Sequence, residues 1–170
     1  MPGVDIVHNI QQLPLPFGDE EFDYILCQDI LEHLEYIPVL KDIYRILEPG
    51  GILEIRVPHF TSRLNFIDPT HKKNFSIQTF QFFVKNSYGP RDYYFDFHFS
   101  NIIYSKITFG KGIPYNYVIE PIVNISEKTQ ILFEATFFSR IFPGNNIIIK
   151  IKKQIEVQIY KNCQHNFYRL

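Results

Sequence analysis

The stretch from Leu13 to Pro58, LPLPFGDEEFDYILCQDILEHLEYIPVLKDIYRILEPGGILEIRVP, decides the fold of this chain. Its apolar run Phe22–Cys27 predicts a strand buried on both faces, and Ile52–Val57 predicts a second strand. Between them, apolar residues recur close to every 3.6 positions from Ile30 to Leu47, which predicts a helix that Pro38 divides into two pieces. Strand, helix and strand at this spacing indicate a crossover connection within a parallel sheet.

Further elements are predicted on both sides of this stretch. Pro49, Gly50 and Gly51 are expected to end the divided helix, because glycine readily adopts the left-handed conformation found at helix ends. The β-branched run near the carboxyl end is typical of an edge hairpin. The patterns predict strands at Val4–Val7, Ile102–Phe109 and Asn146–Val157, and helices at Ile77–Val84 and Ser126–Phe142.

Composition excludes several classes of protein. The chain has 170 residues and 17 Lys and Arg against 18 Asp and Glu, so its net charge of -1 gives no indication of a nucleic acid or anionic membrane as partner. Cys27 and Cys163 form no CxxC pair, which argues against a zinc ribbon, a redox dithiol and a disulfide scaffold. No apolar run is long enough to span a membrane. A cytoplasmic protein of one domain is expected.

Three short motifs follow one another at a characteristic spacing. The first motif is Leu13, Pro14, Phe17, Phe22 and Asp23; the second is Leu31, Glu32 and His33; and the third is Arg45, Leu47, Pro49, Gly50 and Gly51. In this order the three motifs resemble the middle of class I S-adenosylmethionine (SAM) methyltransferases, in which the cofactor lies across the carboxyl ends of the sheet strands. The later segments VPHFTSRLNFIDPTHKKNF and FFSRIFPGNNIIIKI are similar to the DPTH loop and the closing hairpin of a bacterial and archaeal subset of these enzymes.

The resemblance implies an α/β, Rossmann-like class I methyltransferase fold with a mainly parallel sheet and a C-terminal antiparallel hairpin. Residues 4–58 would match the family core, and residues 59–170 would supply the substrate-side loop, helices and closing strands of a single partial domain. The family's glycine-rich turn and ribose-binding acid would lie before Met1, so the chain is expected to be truncated at its N-terminus. Whether the short chain is active alone is left open.

The resemblance also implies which residues meet SAM. The pair after the third strand, Asn9 and Ile10, would contact the adenine, although many relatives have Asp at the first position. Asn lacks the charge-assisted hydrogen bond of a carboxylate, so weaker cofactor binding is expected. At the end of the fourth strand, Cys27, Gln28 and Asp29 would face the sulfonium and methionine part of SAM. His33 is included in the same cofactor-binding group.

Two histidines on the loop after the last matched strand are candidate general bases. His59 and His71 would lie where an acceptor approaches the methyl group, and histidine suits removal of the acceptor's proton. Arg63 and Asp68 would lie on the substrate side. An Asp68 turn capped by His71 is the simpler alternative.

The remaining charged and aromatic residues of this region have two interpretations each. The basic residues could meet an anionic acceptor such as an acidic sugar, or could simply form a solvated surface. They are Arg63, Lys72, Lys73 and Arg91. The aromatic residues from Phe80 to Phe99 could form an acceptor pocket or core packing.

A metal site is a further expectation at the start of the divided helix. The spacing of Asp29, Glu32 and His33 resembles an arrangement that holds Mg²⁺ in some O-methyltransferases, where the ion aligns a substrate hydroxyl. Helix capping and packing explain the same residues without an ion.

Three functions remain to be distinguished. The first is a SAM-dependent methyltransferase acting on a small-molecule or glycan-like acceptor. The second is a non-catalytic remnant that associates with another chain through an exposed sheet edge. The third is a nucleotide-using Rossmann-like enzyme, which would require a phosphate-binding loop that the sequence lacks.

Overall fold

The sheet contains four strands in the part of the chain that the structure describes. That part comprises residues 5–87, 92–112, 114 and 116–155 of a computed structural model. The strands lie in the order β1-β2-β4-β3, where β1 is Phe22–Gln28, β2 is Leu47–Pro58, β3 is Asn101–Ile107 and β4 is Asn146–Lys152. β1 and β2 are parallel, whereas β4 is antiparallel to both of its neighbours. The α/β fold is confirmed, but this part of the sheet is mixed instead of mainly parallel.

The connection between β1 and β2 begins with a short 3-10 turn and continues in a helix. The turn is Leu31–His33, and helix α1 is Tyr36–Ile46. Pro38 is the third residue of α1, where its missing N–H breaks no hydrogen bond within the helix. The two predicted pieces therefore exist, but the break comes before Pro38. One face of α1 is buried in the core through Val39, Leu40, Ile43 and Ile46.

The Gly-Gly turn shapes the start of β2 and does not end α1, contrary to the prediction. The helix ends at Ile46, and Leu47 is already extended. The pairing register with β1 then shifts, since Phe22 faces Leu47 while Tyr24 faces Ile52. Gly50 adopts a φ of 83° within this bulge, and a side chain at that angle would be strained.

The two faces of the sheet differ in burial. One face is fully buried, and its residues are Leu53, Ile55, Val57, Ile107, Ile147, Ile149 and Ile151. The opposite face of β1 is open, because the side chains of Tyr24 and Leu26 are 44% and 51% exposed. The prediction that β1 is buried on both faces is therefore wrong for the described structure.

Among the described residues, three helices lie between β3 and β4. They are α3 (Asn116–Val123), α4 (Glu127–Ala135) and α5 (Phe138–Ile141). A further short helix, α2 (Leu64–Ile67), follows β2. β4 therefore lies between β2 and β3 and is not part of an edge hairpin. The helix predicted at Ser126–Phe142 is two helices, and α3 was not predicted. None of the described helices has the length and apolarity needed to cross a membrane.

Two other predictions differ from the structure. No strand occupies residues 5–7, where Ile6 and Val7 are exposed; Val4 lies outside the described residues. A strand there would need a neighbour to satisfy its backbone groups, and the described residues provide none. The helix predicted at Ile77–Val84 is a 3-10 helix at Thr79–Phe83. The described part of the aromatic segment is divided: Phe80, Phe83, Phe97 and Phe99 are buried in the core, whereas Tyr93 and Tyr94 are exposed.

Candidate functional site

A cavity of about 320 Å³ opens at the carboxyl ends of β1 and β2. Carboxyl ends of parallel strands form the usual ligand-binding edge of α/β sheets. The cavity contains three carboxylates, one guanidinium and two imidazoles, from Asp29, Glu32, Asp68, Arg56, His33 and His71. The sequence therefore predicted four of these residues as site residues and a fifth, Glu32, as a candidate metal ligand.

Asp29 occupies the position directly after β1. Its backbone φ is 51°, a left-handed conformation that Asp tolerates better than most residues, and its N–H donates to the Arg56 carbonyl at 2.9 Å. The Arg56 guanidinium donates to both carboxylate oxygens of Asp29, at 3.1 and 2.7 Å. Both side chains remain more than a third exposed, so the pair is open to a ligand. Sequence analysis missed Arg56, although a charged residue in an apolar strand is a detectable signal.

The loop after α2 docks against the 3-10 turn that precedes α1. The N–H groups of Lys72 and Lys73 donate to the Glu32 carbonyl at 2.7 and 3.2 Å. This contact places the His71 ring against the His33 ring, with 4.6 Å between their centroids. The DPTH loop and the LEH motif thus meet across almost forty residues of sequence.

Glu32 is a buried acid at the centre of this contact. Its side chain is 2% exposed, and burial raises its pKa above the usual value. Glu32 Oε1 lies 4.0 Å from His71 Nε2, while Oε2 has no hydrogen-bond partner among the described residues. Asp68 Oδ2 lies 3.8 Å from the same nitrogen, His71 Nε2.

His59 lies in the interior and does not line this cavity. It is fully buried, with Nε2 3.1 Å from Glu134 Oε1 and Nδ1 2.7 Å from Thr61 Oγ1. A Cβ atom added at Gly144 would lie 2.9 Å from its ring, which shows how closely the backbone packs against it. These contacts suit a structural role, so the predicted role of His59 as a base lacks geometric support.

The other predicted cofactor residues lie in different surroundings. Cys27 is buried on the core side of β1, and burial raises the pKa of its thiol to about 12, so its side chain does not face the cavity. Gln28 is exposed at the end of β1. Asn9 is exposed and accepts a hydrogen bond from Gln11 N at 3.1 Å, while Ile10 packs against the core. Their roles toward SAM stay predictions.

The residues predicted for the substrate side are only partly brought together. Asp68 lines the cavity, whereas Arg63 is exposed and does not line it. Lys73 forms an ion pair with Glu35 at 2.9 Å, and Lys72 is exposed. Arg91 lies outside the described residues.

The predicted metal set is also rearranged. Asp29 is paired with Arg56, and the residues that come together are Glu32, His33 and His71. The distant His71 takes the place that the sequence interpretation gave to Asp29.

A second, larger cavity of about 1020 Å³ adjoins the first, because Arg56 and Asn146 line both. Its lining is rich in amide and basic side chains, from Lys106, Lys111, Asn116, Asn124, Asn145 and Asn146. The Lys106 ammonium is 2.6 Å from Glu120, which raises the pKa of Lys106. The sequence interpretation had no signal for this cavity, because its walls come from β2, β3, β4 and the unpredicted helix α3.

Comparison with known proteins addresses the family. A family model described as a methyltransferase domain matches residues 3–55. Over residues 3–55 the chain is therefore similar to methyltransferase domains. The predicted resemblance is confirmed, and SAM is the cofactor of this family.

The curated relatives of this methyltransferase domain are matched over part of their length. An uncharacterized protein of Methanocaldococcus jannaschii is 36% identical over 84 residues, which cover 44% of this chain and 37% of that protein. A demethylmenaquinone methyltransferase of Lysinibacillus sphaericus is 34% identical over 53 residues, which cover 31% of this chain and 22% of the enzyme. The matched regions thus span well under half of these relatives.

Solved structures align with this chain at low sequence identity. A chain in the complex between the Trm112 methyltransferase activator and a putative methyltransferase of Haloferax volcanii aligns with a TM-score of 0.50 and 14% identity, over 88% of this chain and 61% of that chain. A SAM-dependent methyltransferase from Archaeoglobus fulgidus aligns with a TM-score of 0.49 and 21% identity, over 81% and 62% of the two chains. At 14% identity, the alignment with the Haloferax volcanii chain supports a shared fold and nothing about function.

Proposed function

We propose that this chain forms part of a SAM-dependent methyltransferase site, with SAM held at the carboxyl ends of β1 and β2 and a small-molecule or glycan-like acceptor beside it. The observation that carries the proposal is the position of Asp29. It follows β1 in a domain of the methyltransferase family and opens onto a cavity with further acids.

The charges in the smaller cavity fit the cofactor. SAM carries its methyl group on a positively charged sulfur, which makes the methyl group open to displacement by an acceptor. Asp29, Glu32 and Asp68 give the cavity more carboxylates than cations, and a preorganised acidic wall stabilises a nearby positive charge. Asp29 would act as a binding group, since Arg56 fixes its carboxylate on one side.

The larger cavity offers a place for the acceptor. Arg56 and Asn146 line both cavities, so a molecule in the larger one would reach the wall of the smaller one. Lys111, Asn145 and Asn146 line this cavity, and lysine and asparagine side chains are donors for hydroxyl, carboxylate and phosphate oxygens, which supports a hydroxylated or acidic acceptor. Holding donor and acceptor in adjoining cavities supplies the alignment that methyl transfer requires.

Of the two predicted bases, His71 lines the cavity in which SAM is proposed to bind, and His59 does not. The base role of His71 stays a prediction.

A second candidate function is non-catalytic association with another chain. The open face of β1, with Tyr24 and Leu26 exposed, favours this alternative because apolar sheet faces are usually covered. In this case the chain would bind a partner without binding SAM by itself.

Calorimetric titration with SAM tests the proposal and separates the two functions. The Asp29→Asn variant keeps the shape and the tolerance for a left-handed backbone, and it removes one negative charge. Loss of a charged contact should weaken SAM binding about tenfold. Asp96→Asn is the matched control, because Asp96 also pairs with a basic side chain, Lys41, and lies outside both cavities.

Equal SAM affinities for the native chain and the Asp29→Asn variant would contradict the proposed position of the cofactor. No SAM binding by a folded native chain would favour the non-catalytic alternative.

A further inference from the structure

A partly buried cluster of Glu32, His33 and His71 has the composition of a metal centre. One potential ligand atom from each residue lies within 4.8 Å of the other two. Tetrahedral zinc with bonds of about 2.1 Å keeps its ligands about 3.4 Å apart, so side-chain movements of roughly 1 Å would close the set around an ion. The backbone contacts from Lys72 and Lys73 to Glu32 already hold the two segments together.

Two atoms of this cluster lack the partners that buried polar atoms normally have. Glu32 Oε2 and His71 Nδ1 form no hydrogen bond with any described residue. The side chains are 2% and 8% exposed, so water has little access to them. Leaving buried polar atoms unpaired destabilises a fold, and such atoms in native proteins usually contact a water molecule or an ion. A cation bound by the Glu32 carboxylate would supply the interaction that Oε2 lacks.

The hydrogen bonds around His33 leave one ring nitrogen ready to bind a metal. The Thr70 hydroxyl donates its single proton to Asp68 Oδ1 at 2.6 Å. It must therefore accept from His33 Nδ1, which lies 2.9 Å away, so the ring proton is on Nδ1. His33 Nε2 then carries a free lone pair. Metal-binding histidines are commonly oriented in this way by a hydrogen bond at the other nitrogen.

The donor set selects the class of metal. Two imidazoles and one carboxylate suit zinc and neighbouring first-row transition metals, whereas Mg²⁺ and Ca²⁺ prefer oxygen ligands. Three protein ligands beside an open cavity leave a fourth position for water or an acceptor atom.

We infer that Glu32, His33 and His71 bind a divalent transition metal ion, with zinc the favoured ion, at the edge of the proposed SAM cavity. Thr70 contacts His33, and Asp68 contacts Thr70, so these two residues orient the His33 ring without binding the ion themselves. With His71 as a metal ligand, its lone pair is no longer free to accept a proton, so the ion would replace the base role predicted for this residue. The ion could instead bind and polarise an acceptor hydroxyl.

Metal titration without SAM tests this inference separately from the proposed function. The chain is purified with chelator and titrated with Zn²⁺ by calorimetry and with Co²⁺ by visible absorption, in a Cys163→Ser background that removes one competing thiol. We expect one ion per chain and a cobalt spectrum of nitrogen and oxygen ligands without a thiolate charge-transfer band.

Variants assign the site. Glu32→Gln and His33→Asn should each weaken zinc binding at least tenfold, and Thr70→Ala, which removes only the positioning contact, should weaken it by a smaller factor. The control His8→Asn replaces an exposed histidine whose ring bonds only locally, to Gln12 O, and should leave binding unchanged. Circular dichroism confirms that each variant is folded. Absence of binding by the unsubstituted cluster, or affinity unaffected by both Glu32→Gln and His33→Asn, would overturn the inference.

Discussion

At the residue scale, Asp42 shows how a charged side chain can fasten a loop to a helix. Burial would raise the pKa of Asp42, but hydrogen bonds from the Arg45 guanidinium and from Leu15 N outweigh burial and hold the pKa below its usual value. Arg45 also donates to the Phe17 and Leu15 carbonyls, so the pair ties the loop before β1 to α1. Phe17 and Arg45, which belong to the first and third of the three motifs, thus contact each other.

This contact predicts a pH dependence of stability. Because the folded pKa of Asp42 is depressed, its contribution is present above the unfolded pKa near 4 and is lost as the pH falls through the folded value. Asp42→Asn should lower the free energy of unfolding at pH 7 and reduce its loss between pH 5 and 3. Urea unfolding at several pH values measures this, with the exposed Asp5→Asn as control. An unchanged pH slope in Asp42→Asn would contradict the account.

The candidate site was only partly predictable at this scale. Asp29, Glu32 and His33 follow one another in sequence, so helix spacing was enough to group them. His71 joins Glu32 and His33 because backbone hydrogen bonds from a distant loop fix its position, and no local pattern encodes that contact. His59 lies outside the cavity, since an imidazole in a loop after a strand can equally be a buried hydrogen-bonding residue, as it is here with Glu134. Its role as a base stays a prediction.

At the element scale, the bulge at the start of β2 depends on Gly51. A Cβ atom at this position would lie 2.9 Å from the Glu48 carbonyl oxygen and 3.0 Å from the Asp23 carbonyl oxygen. Both are backbone atoms and have little freedom to move. Gly51→Ala should therefore destabilise the fold by about 1–3 kcal/mol, as other overpacked sites do.

Chemical denaturation measures the effect of Gly51→Ala. Gly18→Ala is the matched control, because the nearest atom to its added Cβ would be a flexible Glu21 carboxylate oxygen at 3.4 Å. Equal stabilities of the two variants would show that the close approach at Gly51 is tolerated.

Elements with strong periodicity were predicted well, and those set by tertiary pairing were not. β1, α1 and β2 follow from apolar spacing, with errors mainly at their ends. The position of β4 between β2 and β3 is fixed by long-range pairing, which its β-branched sequence does not reveal. Helix α3 contains Pro121 and buries only part of its surface, so the apolar periodicity that predicts a helix was weak there.

At the scale of the whole molecule, the sheet has one well-covered face and one open face. Polar contacts partly compensate for the open face, since the Tyr24 hydroxyl and the Lys150 ammonium both contact the Glu54 carboxylate. The two adjoining cavities lie where this face meets the carboxyl ends of β1 and β2. We therefore place both proposed functions on this side of the molecule: SAM binding at the strand ends and association across the open face.

The central claim is that SAM binds at the carboxyl ends of these strands, and photo-crosslinking with methyl-labelled SAM tests it most directly. The first Lys or Arg in the sequence is Lys41, so one tryptic peptide, residues 1–41, contains the predicted cofactor residues Asn9, Ile10, Cys27, Gln28, Asp29 and His33. We expect the label in this peptide, mapped to one of these positions and displaced by S-adenosylhomocysteine. Label confined to peptides that contribute no residue to the cavity at the ends of β1 and β2, or the absence of specific labelling of the folded chain, would contradict the account.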